Sequence, residues 1–77
     1  MYKELVEYIV KALVEKKDEI NITEEQVGDR LVLKVKVATE DMGRIIGKEG
    51  RIIRGIREII RAYSAKEKAK VSIDIVE

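Results

Sequence analysis

Apolar residues return every three or four positions at the start of the chain. Tyr2, Leu5, Val6, Ile9, Val10, Ala12 and Leu13 fall on one side of a helical wheel, and Lys3, Glu4, Glu7, Lys11 and Glu15 on the other. This pattern predicts an amphipathic helix over residues 2–16. Lys16 and Lys17 stand at its C-terminal end, where the helix dipole favours cations. Tyr8 and Val14 lie outside the stripe and are expected at the surface. The period then shortens to two. Residues 19–23, with Ile20 and Ile22 on one face, read as a short strand, and Gly28-Asp29 as a turn. Residues 31–37 read as a second strand, with Leu33, Val35 and Val37 facing one way and Lys34 and Lys36 the other. Thr39 is placed to cap a short helix, with Glu40 and Asp41 in its first turn, and Gly47 ends it. A longer helix starts at Gly50 or Arg51 and runs to Ala65, with Ile52, Ile53, Ile56, Ile59, Ile60 and Tyr63 as its stripe. A charged connection over residues 66–70 leads to a last strand marked by Val71, Ile73 and Ile75.

The expected order is helix, strand, strand, short helix, long helix, strand. Three strands with helices on one face make a two-layer α+β fold. The two helices between the second and third strands are long enough for a crossover, so the sheet is expected to be mixed. With 77 residues and no internal repeat, residues 1–77 read as a single domain.

Composition narrows the chemistry. The chain has no cysteine and no histidine, which removes thiol chemistry, Ser–His triads and the usual zinc ligands. Its acidic residues sit at helix-face or turn positions, so no enzyme activity and no cofactor is expected. No apolar run approaches a membrane span and no signal-peptide pattern opens the chain, which makes the cytoplasm the expected location. The net charge of +1 hides a segregation. Residues 43–61 carry Arg44, Lys48, Arg51, Arg54, Arg57 and Arg61 against only Glu49 and Glu58, together with four of the five glycines. A local basic patch attracts polyanions even on a nearly neutral molecule.

Within that segment, Gly47 and Gly50 stand three apart between two helical patterns. Glycine permits a tight turn and close approach of another backbone. The helix that follows directs its unpaired N–H groups and positive dipole end at the turn, and Lys48 and Arg51 add full charges there. The spacing is too short for a Walker loop, and no strand leads directly into it as a dinucleotide fingerprint requires. Taken alone, a Gly-x-x-Gly is more often a simple connection between helices.

The larger pattern is more specific. Ile45, Ile46, Gly47, Gly50, Ile53 and Ile56 stand in the register of the KH (K-homology) domain, and the element order matches its type II form. The run Met42-Gly43-Arg44-Ile45-Ile46-Gly47-Lys48-Glu49-Gly50-Arg51 resembles that of the small stand-alone bacterial KH proteins of the KhpA/YlqC type. The resemblance implies a binder of single-stranded RNA, acting as an RNA chaperone or post-transcriptional regulator. It also implies self-association or pairing with a larger KH-containing protein of the KhpB/Jag type. In that family about four nucleotides lie in a groove, with the loop gripping their backbone. Carried over, Gly47, Lys48, Glu49 and Gly50 are the clamp, Ile46 and Ile53 its support, and Arg44, Arg51 and Arg54 its flanks. Glu49 sets a negative charge where many relatives have a neutral or basic residue.

Arg51, Arg54, Arg57 and Arg61 share a helix face, and like charges at this spacing cost a few tenths of a kcal/mol each. For Arg51 and Arg54, beside the loop, an anionic ligand is the expected relief. For Arg57 and Arg61 a solvated face with Glu58 as counter-ion is expected. Gly55, mid-helix at a cost of about 1 kcal/mol relative to alanine, reads equally as a site of close approach and as a tolerant surface position. The competing functional reading is a KH scaffold used for dimerisation or protein docking, with residual RNA affinity. The absence of stacking aromatics near the motif predicts modest affinity and low base selectivity.

Overall fold

The computed structural model describes residues 2–76, with the backbone alone at Lys48. Helix α1 spans Tyr2–Leu13 and buries Tyr2, Val6 and Val10. A single 3₁₀ turn, Lys17–Glu19, leads to β1 at Asn21–Val27. A turn at Gly28 and Asp29 returns the chain into β2 at Arg30–Lys36. A second 3₁₀ turn, Thr39–Asp41, opens α2 at Met42–Ile46. A third, Lys48–Gly50, joins it to α3 at Arg51–Lys66, and β3 closes the order at Lys70–Val76.

The sheet order is β1-β2-β3. β1 runs antiparallel to β2, with Ile22 opposite Val35, and β3 runs parallel to β2, with Ile73 opposite Leu33. A parallel partner requires a crossover, and the α2–α3 pair supplies it. Leu33 and Val35 on the central strand are buried with Ile22 and Ile73 beneath Val6, Val10, Ile45, Ile53, Ile56 and Ile60 of the helices. Burial of each such side chain is worth about 1.5–3 kcal/mol. On the other sheet face Thr23, Glu25, Lys36 and Asp74 are exposed, and Lys34 pairs with Glu25 at 2.8 Å. This is the two-layer α+β fold with a three-stranded mixed sheet that the periodicity predicts.

Four local expectations need correction. α1 stops at Leu13, three residues early, because the chain turns so that Val14 enters the core instead of staying exposed. The Lys17 ammonium caps the carbonyl of Val14 at 3.0 Å. β1 lies later than residues 19–23, because pairing with β2 carries Glu24, Glu25 and Gln26 as strand although they break the apolar alternation. Thr39 is not a helix cap: it begins the 3₁₀ turn, and neither that turn nor α2 has a side-chain cap hydrogen bond. Asp41 does structural work at the same place. Its buried carboxylate accepts the backbone N–H groups of Glu15 and Lys16 at 3.1 and 3.0 Å. Those two bonds, more than the neighbouring Arg44, hold its pKa below the usual aspartate range. They tie the end of α1 to the start of α2.

Candidate nucleic-acid interface

The loop between α2 and α3 is built from backbone conformations that ordinary residues avoid. The N–H of Gly47 donates to the carbonyl of Gly43 at 2.8 Å and closes α2. Gly47 then takes φ 69°, ψ −170°, a region essentially restricted to glycine. A Cβ there would lie 2.2 Å from Ile52 Cγ1, 2.8 Å from Ile52 Cβ and 3.1 Å from the Ile52 backbone nitrogen. The first turn of α3 therefore rests against the bare backbone of Gly47. Glu49 and Gly50 follow in the left-handed region at φ 55° and 79°. Space beside Gly50 is open, with Ile53 Cγ2 at 4.0 Å the nearest contact, so conformation rather than packing favours glycine there.

Two left-handed residues followed by a helix leave the first N–H groups of α3 at the loop, and no side chain caps them. A helix N-terminus in this state is suited to anions. Arg51, the first residue of α3, is exposed. Arg54 turns back on the loop: its guanidinium donates to the carbonyls of Glu49 at 3.2 Å and Gly50 at 3.4 Å. It thus occupies carbonyl oxygens and not amides. Arg44 is engaged elsewhere, with the Glu15 carboxylate, with Asp41 Oδ1 at 3.2 Å and with the carbonyl of Glu40 at 3.5 Å. Ile53 is buried in the core, whereas Ile46 is 39% exposed and presents its surface to solvent. The expectation for Lys48 concerns a side chain outside the described residues.

Farther along α3 the two distal arginines part company. Arg61 pairs with Glu58 at 2.6 Å, a surface ion pair of the expected kind, and this bond holds the Glu58 carboxyl below its usual range. Arg57 is not simply solvated. Its Nε and Nη2 both donate to the carbonyl of Ile73 in β3, at 3.3 and 3.1 Å. It borders a groove of about 290 Å³ between α3 and β3, whose floor is Ile60, Val71 and Ile73 and whose rim includes Arg54 and Arg61. Sequence spacing missed Arg57, since only the packing of α3 against β3 reveals its acceptor. Gly55 faces open space.

A mixed three-stranded sheet of this order, crossed by two helices that meet at a Gly-x-x-Gly turn, defines a type II KH domain. The family model described as KhpA/KhpB, KH domain, matches residues 3–75. The chain belongs to this family. It is 43% identical over 74 residues to the RNA-binding protein KhpA of Clostridium perfringens, covering 96% of this chain and 99% of that protein. It is 41% identical over 75 residues to the RNA-binding protein KhpA of Chlamydia trachomatis, covering 97% and 96%. Among solved structures, Era of Aquifex aeolicus bound to GDP and aluminium fluoride shares the fold, with a TM-score of 0.64 and 17% identity. The match covers 96% of this chain but 29% of that one.

Proposed function

We propose that this chain is a cytoplasmic, non-enzymatic binder of single-stranded RNA that grips the RNA backbone at Gly47, Lys48, Glu49 and Gly50. The observation that carries the reading is the loop itself: two adjacent left-handed residues and a Gly47 sealed against Ile52, next to an α3 N-terminus with no side-chain cap. Phosphate oxygens accept from the exposed amides, Arg51 adds charge, and bases follow the groove between α3 and β3. Arg54 holds the loop's carbonyls, and Ile53 supports it from the core. The names of the Clostridium and Chlamydia relatives support RNA as the ligand. By this reading the chain acts as an RNA chaperone or post-transcriptional regulator.

The test replaces Lys48 and Glu49 together by aspartate. The glycines remain, so the turn should persist, while a cation is lost where a phosphate would sit. RNA affinity should collapse with circular dichroism unchanged. For the unaltered protein, two to four engaged phosphates predict a log–log salt slope of about −1.4 to −2.8 on a single strand. Unchanged affinity in the folded double variant would remove the loop as the clamp.

A second reading, docking to protein, has its own observation. Ile52, Ile59 and Tyr63 are 37%, 52% and 37% exposed along α3, an apolar strip suited to a second copy or to a KhpB/Jag-type partner. Two linked KH sites would also strengthen a weak single grip. A monomer in sedimentation at high concentration, with no partner in pull-downs, would remove this reading.

A further inference from the structure

We infer that Asp41 and Arg44 are positioning residues for the RNA grip: together they tie α2 to the end of α1, and Arg44 makes no phosphate contact. The inference rests on the RNA-binding reading above and adds what holds its loop in place.

α2 has five residues, Met42–Ile46, and no side-chain cap at its start. A helix of little more than one turn is not stable by itself, so its placement is set by what it is fixed to. Ile45 anchors it in the core, and its C-terminal end runs directly into Gly47, which is sealed against Ile52 of α3. Its N-terminal end is fixed through polar groups. The buried Asp41 carboxylate accepts the N–H of Glu15 on Oδ1 and that of Lys16 on Oδ2. Oδ1 also accepts from Arg44 Nη1 at 3.2 Å. Arg44 Nη2 reaches the Glu15 carboxylate, and Nη1 lies 3.5 Å from the carbonyl of Glu40. One carboxylate and one guanidinium thus join the residues after α1, the 3₁₀ turn and α2. Only about 7.5 Å of helix separates this junction from Gly47, so a shift here is a shift of the loop.

The same contacts argue against Arg44 as a phosphate ligand. Its guanidinium meets two carboxylates, those of Asp41 and Glu15. Lys16 beside it pairs with Glu40 at 3.4 Å. The N–H groups of Glu15 and Lys16 keep the Asp41 carboxyl ionised at neutral pH. Two cations therefore face three carboxylates at this corner, and a phosphate would meet net negative charge. It would also have to draw the guanidinium away from a buried carboxylate, and a buried charge that loses a partner is costly.

The experiment measures affinity of the full chain for a random-sequence pool of short single-stranded RNA across a salt series. Every protein is held well below its unfolding midpoint, checked by circular dichroism, so that a loss of global stability alone does not move the result. Asp41→Asn keeps the side-chain shape, removes a negative charge and turns an amide N–H toward a backbone N–H. By charge alone it should bind RNA more tightly. Positioning predicts the reverse, a loss of roughly tenfold. Arg44→Lys keeps the charge but lacks the fork that bridges Asp41 and Glu15, so affinity should fall severalfold. Arg44→Gln should also weaken binding, with the log–log salt slope unaltered. Loss of a phosphate contact would instead make that slope shallower by about 0.7. Affinity in folded Asp41→Asn equal to or above that of the unaltered chain would overturn the inference without touching the RNA-binding reading. So would full affinity in Arg44→Lys, or the shallower slope in Arg44→Gln. If Asp41→Asn does not fold, the two Arg44 variants still decide. Failure of the unaltered chain to bind the pool would overturn both.

Discussion

The two ends of α3 use the same unusual backbone to opposite effect. At the N-terminal end, Glu49 and Gly50 are left-handed and the N–H groups beyond them have no side-chain cap. At the C-terminal end Lys68 is left-handed at φ 58°, but everything around it is closed. The N–H of Ala69 donates to the carbonyl of Ser64 at 2.8 Å and the N–H of Lys68 to that of Ala65 at 3.1 Å. This is a Schellman ending, which satisfies the last carbonyls of the helix. The Tyr2 hydroxyl donates to the carboxylate of Glu67 beside it. Left-handed residues at one end close off the helix, and at the other precede a helix start with no side-chain cap. Substitutions at the C-terminal end should therefore change stability alone, and those at the loop should change binding too.

The largest effect is expected from Gly47→Ala. Relief at Ile52 Cγ1 by rotation would not help, because Ile52 Cβ and its backbone nitrogen also stand in the way at 2.8 and 3.1 Å. Added to a backbone region closed to alanine, the clash should cost about 2–4 kcal/mol in chemical denaturation. RNA affinity should fall with it. Gly50→Ala meets no such contact and should cost only about 1 kcal/mol. Equal losses at both positions would show that backbone conformation alone, and not the seating of α3 on Gly47, sets the loop.

That difference marks the limit of what the amino-acid sequence makes legible. The period-two runs around Leu33 and Ile73 and the isoleucine stripe of α3 locate β2, β3 and α3 within a residue or two, because burial on one face forces the pattern. β1 is an outer strand of the sheet whose extent is set by pairing with β2, so its polar second half carries no period to read. The two glycines and the flanking charges can be read directly. Which glycine is sterically sealed cannot, since Ile52 meets Gly47 only after the turn has formed. The same holds for the arginines: spacing places them on one face, but whether each meets a carboxylate, a loop carbonyl or the edge of β3 is decided by tertiary packing.

A smaller effect tests the closed end. The hydrogen bond to Glu67, followed by burial, pushes the Tyr2 phenol up to about 12. A folded-state value above the unfolded one, about 10, favours the neutral phenol. It contributes stability that is fully present below pH ~10 and is lost as pH rises toward 12. Tyr2→Phe keeps the ring that meets Tyr63 edge-on at 5.7 Å but removes the hydroxyl. It should lower Tm by on the order of 5 °C at neutral pH. The gap between the two proteins should close between pH ~10 and ~12. RNA affinity at neutral pH should be the same for both. A gap that persists to high pH would assign the loss to packing.

The smallest effect compares one kind of substitution at both ends. Lys68 occupies the position after a helix that glycine most often fills, and it bears the cost of a side chain in the left-handed region. Lys68→Gly removes that cost but returns part of it through the greater freedom of glycine in the unfolded chain. A net gain of about 0.5–1 kcal/mol in chemical denaturation is expected, with RNA affinity unchanged. Glu49, at φ 55°, bears the same strain, so Glu49→Gly should give a similar gain. It also removes a carboxylate from the loop proposed to hold the RNA backbone, so RNA should bind more tightly at low salt, with the advantage shrinking as salt screens the lost repulsion. The two variants should thus match in stability and differ in binding. If Lys68→Gly also tightens RNA binding, the two ends of α3 are coupled, and the division between a closed end and an open one fails.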